Sequence, residues 1–251
     1  MRTTTRIELS RAGGRPVLDL DAGHLRPFVL ADDAGRGVVS VAVVPAVAML
    51  LAGDDVRLRV VVGAGCRLRI VEPAGTVAYH MRGGSAVRSV RVEVGPDATL
   101  VWAAQPLVVA DGARLELDGA VDVAAGGRAL LREPLVFGRS GESGGELLTR
   151  TRATVAGRPA LVEELDLGRA ARADPIVLAG HRCMDTVTAL GWRLPGADPA
   201  LLQLHAPGSV HRVLVDDLPA SPLPGLFAAA ERSLAGARPA PGPAALSCSN
   251  A

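Results

Sequence analysis

Residues 53–81 have the sequence GDDVRLRVVVGAGCRLRIVEPAGTVAYHM, in which two apolar runs flank the turn Gly63-Ala64-Gly65. In residues 56–62 and 66–71, apolar side chains alternate with arginine and valine. A period of two with many β-branched residues is typical of β-strands. A short glycine turn between two such runs predicts a β-hairpin with one buried face and one arginine-bearing face.

The same turn pattern recurs further along the chain. The pattern Gly-x-x-(Cys/Ala)-x-Leu begins at Gly63, Gly95 and Gly126, which are 32 and 31 residues apart. A fixed period of this length is typical of stacked supersecondary units, none of which can bury its apolar face alone. The turns of an ordinary β-meander are the alternative explanation.

The arrangement of turns favours strands over most of the chain. Turn residues recur at short intervals through residue 168, and no long helical pattern interrupts them. We therefore predict an all-β fold, mainly antiparallel, in which hairpins of short strands stack in a helical-like arrangement. One or two α-helices are predicted toward the C-terminus, the clearest over residues 223–234, which are alanine-rich and followed by Gly236.

The same pattern predicts a simple domain organisation. No linker divides residues 1–236, which we interpret as one β domain. Residues 237–251 are rich in proline, alanine and serine, and this composition predicts a disordered tail.

Composition restricts the possible partners. Hydrophobic residues make up 49% of the 251-residue chain and aromatic residues 2%, so valine, leucine and alanine must form the core. The net charge is +1, every basic side chain is arginine, and no basic cluster is present. Because nucleic-acid-binding surfaces need clustered positive charge and stacking rings, we predict no nucleic-acid partner.

Cysteine usage and hydropathy favour a reduced, cytoplasmic protein. Cys66, Cys183 and Cys248 are odd in number and far apart, unlike a disulfide framework. The charged N-terminus lacks the apolar segment of a signal peptide. The longest apolar run, residues 38–52, is shorter than the ~18–20 residues of a spanning helix and contains Pro45. We therefore predict no membrane association.

One motif is compatible with nucleophilic catalysis. Residues 141–145, GESGG, match Gly-x-Ser-x-Gly around Ser143. A nucleophile elbow needs a helix after the serine, whereas residues 147–155 have the pattern of a strand. A glycine-rich hairpin loop is therefore favoured over a serine hydrolase. In the hydrolase alternative, Ser143 would act with one of three histidines, His181, His205 or His211.

Two sets of side chains could bind metal. The first contains soft ligands, among which His181-x-Cys183 would share one face of a strand; its members are Cys66, His80, His181, Cys183, His205 and His211. Buried cysteines and surface histidines are the favoured explanation of this set, because no second pair has the spacing of a metal site. The second contains acids at strand ends and loops: Asp54, Asp55, Glu72, Glu142 and Glu146. Carboxylates bind a cation weakly and release it, which suits transport, but solvated turn residues are the alternative.

Several short segments occur in an order that matches a known family. They are Leu25-Arg26-Pro27, Gly53-Asp54-Asp55-Val56, residues 60–64 (VVVGA), Gln105-Pro106, residues 111–115 (DGARL), and residues 135–139 (LVFGR) followed by Gly141-Glu142. In this order the chain resembles the urease accessory protein D family, called H in some systems. The resemblance covers residues 25–168. Ala52 stands where the family usually has glycine, and in residues 69–79 only Thr76 and Tyr79 match the family's strand.

The resemblance implies a non-enzymatic scaffold made of many short antiparallel strands in stacked sheets. Such proteins bind the urease apoprotein and the accessory protein F, and recruit the nickel-carrying GTPase G through F. They help to deliver nickel to the carbamylated active site, with a passage through the D protein as the proposed route. No tightly bound cofactor is implied, and Asp54, Glu72 and Glu142 are the candidate residues of a transient nickel path.

Two functions of other classes remain open at this point. One is the serine hydrolase at Ser143. The other is a β-sandwich recognition module for a carbohydrate or a protein. A carbohydrate-binding surface needs exposed aromatic rings, and the chain contains only Trp102, Trp192 and Tyr79 as tryptophan or tyrosine.

Overall fold

The computed structural model of the protein describes residues 2–13, 15–30, 37–47 and 50–236. In these residues the chain forms seventeen β-strands, three α-helices and a short 3₁₀ helix at Leu218–Ala220. The strands are β1 (Arg2–Ala12), β2 (Arg15–Asp21), β3 (Leu25–Val29), β4 (Val39–Pro45), β5 (Asp55–Val62), β6 (Arg67–Val71), β7 (Thr76–Ala78), β8 (Ala86–Val94), β9 (Thr99–Ala103), β10 (Leu107–Val109), β11 (Arg114–Val123), β12 (Arg128–Phe137), β13 (Glu146–Val155), β14 (Arg158–Asp166), β15 (Cys183–Leu190), β16 (Leu201–Gln203) and β17 (Gly208–Val215). The helices are α1 (Arg169–Arg172), α2 (Pro175–Leu178) and α3 (Leu223–Gly236). The predicted tail, residues 237–251, lies outside the described residues.

The strands form two sheets that face each other. Sheet I has the order β14-β13-β11-β8-β5-β1-β2. Sheet II has the order β16-β17-β15-β12-β9-β6-β4-β3, and the short strands β7 and β10 pair with each other beside the end of β12. The chain passes repeatedly from one sheet to the other, so the architecture is a β-solenoid-like stack.

We call each turn of the stack a coil. The sequence repeat lies at the corner of each coil, where the chain passes from sheet I to sheet II. The chain turns from sheet I to sheet II at residues 63–66, 95–98 and 124–127, and these corners lie on top of one another. The amide of Gly65 donates to the carbonyl oxygen of Pro96 at 2.9 Å. A Cβ atom on Gly95 would lie 2.9 Å from the backbone nitrogen of Ala64, so glycine permits this close stacking. The prediction of stacked units is confirmed.

The predicted hairpin over residues 56–71 is wrong. β5 pairs with β1 and β8 in sheet I, and β6 pairs with β4 and β9 in sheet II. The glycine turn is a corner between the two sheets, and it directs the apolar faces of both strands into the space between them. A hairpin would instead have kept both strands in one sheet. Alternation along one strand is the same in both arrangements, which is why the local pattern did not distinguish them.

Strand direction is mixed rather than mainly antiparallel. The neighbours β5, β8, β11 and β13 are parallel and in register, as are β4, β6, β9 and β12. Antiparallel pairs lie toward the ends of the sheets, at β1–β2 and β3–β4 and at β13–β14, β12–β15, β15–β17 and β16–β17. Parallel pairing follows from the solenoid, because each coil runs in the same direction as the one before.

Two apolar layers hold the structure together. The inward faces of both sheets form the larger core, in which Leu58, Ile70 and Leu100 are almost fully buried. The second layer lies on the outer face of sheet II, where Leu223, Phe227, Ala230 and Leu234 of α3 cover Val101, Leu130, Val187 and Ala189. The helix predicted over residues 223–234 is thus confirmed. None of the helices in the described part of the chain is long and apolar enough to span a bilayer.

A buried polar network fixes the start of α3. The hydroxyl of Ser221 donates to Asp185 at 2.6 Å and accepts a hydrogen bond from the amide of Leu223 at 3.2 Å. Asp185 is fully buried and pairs with Arg132 at 2.9 Å. At the other end of the helix, Arg69 Nε donates to Glu231 at 2.7 Å. These contacts hold α3 across the strands of sheet II.

Replacing Phe227 by alanine should destabilise the protein by about 3–5 kcal/mol, because it leaves a cavity between α3 and sheet II. Phe227 is 5% exposed, whereas Phe28 on the edge strand β3 is 51% exposed. The matched control Phe28→Ala should change stability by about 1 kcal/mol or less. Urea denaturation measures both variants, and equal losses would contradict the packing described for α3.

Candidate functional site

A row of polar side chains runs through the otherwise apolar space between the sheets. On sheet II, Glu133, Thr186 and Arg212 are direct register partners on β12, β15 and β17. Glu72 extends the row, because it lies one residue beyond Val71, which pairs with Ala103 of β9. In-register strands place these side chains at one level, pointing to one side of the sheet. We call Glu72, Arg88, Glu133, Glu163, Thr186 and Arg212 the interior row, Arg88 and Glu163 being its members on sheet I.

Five members of the interior row, all except Glu72, border a cavity of about 150 Å³ between the sheets. Its wall on sheet I comes from β8, β11, β13 and β14, and its wall on sheet II mainly from β12, β15 and β17. Most lining side chains are apolar, and Thr149, Thr151, Thr186 and Thr188 add hydroxyl groups. A cavity of this size with polar groups on its wall can hold several water molecules or a small hydrated ion.

Two ion pairs lie at the ends of the interior row. Arg212 binds Glu163 through two hydrogen bonds of 2.9 and 2.8 Å, and its Nε donates to Thr186 at 3.2 Å. At the other end, Glu72 accepts hydrogen bonds from Trp102 Nε1 at 3.0 Å and from the amide of Gln105 at 3.2 Å. Arg88 lies 3.7 Å from Glu72, close enough for an ion pair without a direct hydrogen bond.

Glu133 lies between these pairs without a partner of its own. Among the described residues none forms a hydrogen bond or a close ion pair with it. Protein surrounds the side chain, yet it keeps solvent-accessible surface because it projects into the cavity. Burial raises the pKa of Glu133, whereas the charges of Arg88 and Arg212 act in the opposite direction.

The charges of the interior row do not balance. Glu72, Glu133 and Glu163 supply three carboxyl groups, and Arg88 and Arg212 supply two guanidinium groups. With every group ionised, one negative charge is left, and the pairing leaves it on Glu133. An unmatched carboxylate beside a cavity is a place where a cation or a proton can bind.

The structure assigns the sequence-predicted acids to three different places. Glu72 belongs to the interior row. Asp54 precedes β5, where its Oδ2 accepts the amide of Leu51 at 2.8 Å and its Oδ1 lies 3.9 Å from His24 Nε2. Glu142 accepts hydrogen bonds from the side chain and amide of Arg139, and from the amide of Asp111.

These hydrogen bonds hold the carboxylate of Glu142 within its own loop. Its hydrogen bonds to Arg139, from both the side chain and the backbone, lower the pKa of Glu142 to about 2. None of the predicted path residues Asp54, Glu72 and Glu142 lines the cavity between the sheets. The structure does not bring the three predicted path residues together. Four charged residues of the interior row were also not predicted from the sequence: Arg88, Glu133, Glu163 and Arg212. Their signal was a charged residue at an inward position of a strand that alternates apolar and polar residues.

The loop around Ser143 lacks a nucleophile elbow. It is followed by strand β13, and not by a helix. Guanidinium groups bind its backbone carbonyls: Arg172 contacts Ser143, Gly144 and Gly145, and Arg182 contacts Gly138 and Arg139. Ser143 and His181 border the same surface cleft, and His181 Nδ1 lies 2.8 Å from Asp216. The arginines hold the loop through its carbonyl oxygens, so the glycine-rich motif has a structural explanation.

The soft-ligand set does not assemble. Within the described residues, no three histidine, cysteine or acidic side chains are positioned to hold a metal ion together. Cys66 and Cys183 are buried, and burial raises the pKa of both thiols. His211 is also buried, with its Nε2 3.6 Å from Asp198.

Comparison with known proteins extends the similarity over most of the chain. A family model described as UreD urease accessory protein matches residues 3–231. The protein named Urease accessory protein UreD 1 of Streptomyces griseus is 43% identical over 221 residues, covering 87% of this chain and 86% of the relative. The Urease accessory protein UreD of Parafrankia sp. strain EAN1pec is 35% identical, covering 86% and 83%. Urease accessory protein UreD 1 of Saccharopolyspora erythraea is 38% identical, covering 80% and 81%.

Glu133→Gln should make the protein more stable at neutral pH and less sensitive to pH. The raised pKa means that folded Glu133 keeps its proton at pH values where the unfolded chain has lost it. Wild-type stability therefore falls as the pH rises from the ordinary glutamate pKa through the raised one. The amide has no charge to bury, so the Tm difference between variant and wild type should grow as the pH rises above the ordinary glutamate pKa.

Glu163→Gln is the matched control, because it makes the same chemical change on a carboxylate that already has a partner. It should lower the Tm at neutral pH, since Arg212 loses its bidentate acceptor. Thermal unfolding followed by circular dichroism across the pH range measures both variants. Parallel pH profiles for Glu133→Gln and wild type would contradict a raised pKa at an unmatched Glu133.

Proposed function

The chain belongs to the UreD urease accessory protein family and has a role in urease maturation, and we propose that it conducts nickel along the interior row. In this proposal it is a non-enzymatic, cytoplasmic scaffold. It binds the urease apoprotein and the accessory protein F, recruits the GTPase G through F, and holds nickel only transiently as cargo.

The observation that supports nickel passage is the unmatched carboxylate of Glu133 beside the cavity. Carboxylate oxygen is a replaceable ligand for nickel, in contrast to thiolate or several imidazoles, which bind it tightly. Glu72 and Glu163 lie on either side of Glu133 along the row, so they offer further oxygen ligands. Arg88 and Arg212 compete with the cation for these oxygens, which keeps its residence short.

Exposed apolar side chains on the outermost strands support the binding of protein partners. Phe28 and Val29 on β3 are 51% and 60% exposed, and Val162 on β14 is 72% exposed. β3 and β14 lie at the edges of their sheets, where backbone N–H and C=O groups lack a neighbouring strand. Apolar side chains on such edges are typical of surfaces that a partner covers. We propose that protein F covers at least one of these edges.

The best test of the nickel route is Glu133→Gln, which keeps the shape of the side chain and removes its charge. We expect less nickel per urease active site and unchanged co-purification with apo-urease and F. Elemental analysis of urease matured with each variant gives the nickel content. Full nickel loading would show that Glu133 is not on the route, and loss of co-purification would show that the variant acts on assembly.

Asp54 and Glu142 stay predicted path residues, and Asp54 can be tested with a matched pair. Asp54→Asn keeps an acceptor for the amide of Leu51, and Asp54→Ala removes it. If the charge of Asp54 serves nickel transfer, both variants should lower the nickel content of urease. If Asp54 only closes its turn, Asp54→Asn should load urease fully, and this result would remove Asp54 from the route.

The alternative hydrolase function has a direct control in Ser143→Ala. We expect this variant to support urease activation as well as the wild type does, because the arginine contacts of the loop involve backbone carbonyls. Ester hydrolysis by the wild type that disappears in Ser143→Ala would contradict the non-enzymatic proposal.

A further inference from the structure

The last strands of the two sheets are joined differently from the earlier ones. Up to β12, a tight corner connects sheet I to sheet II in each coil, at residues 63–66, 95–98 and 124–127. β14 and β17 come after the last of these corners, and residues 167–182 lead from β14 to β15. A contact between side chains, the bidentate pair Glu163–Arg212, bridges the sheets here.

The same pair stands where both sheets end. β14 is the outermost strand of sheet I. On sheet II, β16 pairs with β17 only from Ser209 to His211, so from Arg212 onward no described strand covers the outer edge of β17. Glu163 and Arg212 both line the cavity, and their side chains are 23% and 27% exposed. They therefore lie between the cavity and solvent at an edge that no described strand closes.

The opposite direction offers no such opening. Toward β5 and β6 the space between the sheets is filled by Leu58, Val60, Leu68 and Ile70, each at most 2% exposed. A solute that reaches Glu133 from this side would have to displace close-packed apolar side chains, which is unfavourable. Separating two hydrogen-bonded side chains at the β14–β17 edge requires no such repacking.

We propose that the Glu163–Arg212 pair is a latch over the mouth of the cavity between β14 and β17, and that small cations reach Glu133 when it opens. The preference for cations follows from the unmatched carboxylate behind the latch. A cation approaching the mouth can bind Glu163 in place of the Arg212 guanidinium, and Arg212 keeps Thr186 as an acceptor. The latch deepens the proposed nickel route but is tested without nickel or urease.

Cysteine labelling measures the opening directly. Thr149 lines the cavity on β13, behind the latch, and Thr149→Cys places a thiol there. A Cys248→Ser background removes one native thiol, and Cys66 and Cys183 are buried, so the background without Cys at 149 gives the baseline. The probe is a pair of small methanethiosulfonates of similar size, one carrying an ammonium group and one a sulfonate group.

Neutralising the latch with Glu163→Gln and Arg212→Gln should increase the labelling rate at position 149 by about tenfold, as expected for the loss of an interaction of about 1.4 kcal/mol. The charge-reversed latch, Glu163→Arg with Arg212→Glu, should return the rate toward that of the wild-type latch. The matched control is the double neutralisation of Arg59 and Glu93, an ion pair of 2.7 Å on the outer face of sheet I, which should leave the rate unchanged.

Each outcome decides one part of the proposal. Equal rates for wild-type and neutralised latches, in variants that circular dichroism shows to be folded, would overturn the latch. A folded charge-reversed variant that reacts as fast as the neutralised one would do the same. Faster labelling by the sulfonate than by the ammonium reagent would overturn the preference for cations. A working latch together with full nickel loading in Glu133→Gln would keep the latch and reject the nickel route.

Discussion

Every coil of this protein depends on backbone lying directly on backbone at the corners of the stack. The amides and carbonyls of successive corners bond to each other, and glycines such as Gly95 leave room for that approach. Because the corners stack in register, the strands between them are parallel and in register as well. Side chains from neighbouring coils therefore form straight rows across each sheet. Almost all inward rows are apolar and build the core, and one of them is charged.

The charged row is stable because its groups are mostly paired within it. Burying an ion pair costs desolvation energy that only good geometry offsets, and Arg212 with Glu163 has such geometry on both oxygens. The desolvation of Glu72 is offset by the hydrogen bonds that it accepts from Trp102 and from a backbone amide. Glu133 has no such compensation, and its raised pKa is the measurable sign of this. A charged group without such compensation departs from the rules of a stable core, and such departures are typical of functional sites.

The sequence allowed the stack to be predicted but not the way in which its strands pair. Three similar turns with a spacing near 32 residues indicated repeated units, and the corners at Gly63, Gly95 and Gly126 confirm them. Whether a glycine turn forms a hairpin or a corner depends on contacts with the next coil, and these involve residues about 30 positions away. The alternation of apolar and polar residues is identical in both cases, so it could not show which strands pair or in which direction.

Of the interior row, only Glu72 at one end was predicted from the sequence. Glu72 stood out because it follows a strand and precedes Pro73. Glu133 lies inside an apolar strand next to Arg132, so it had the pattern of an ordinary exposed pair. Its inward direction became evident only from its register with Thr186 and Arg212, on strands more than 50 residues later in the chain. Rows made by stacking bring together residues that no local spacing connects.

The reversal of strand direction at the outermost strands also limits the length of the stack. A parallel, in-register ladder could in principle be continued by the coils of another molecule, as happens in cross-β fibrils. Here β2 and β3 run against their neighbours on one side, and β14, β15 and β17 do so on the other. On both sides, therefore, the parallel ladder ends at an antiparallel strand before the edge of the sheet is reached. The regular ladder of parallel coils thus ends inside the molecule, and the strands that a partner would meet at the sheet edges are not part of that ladder.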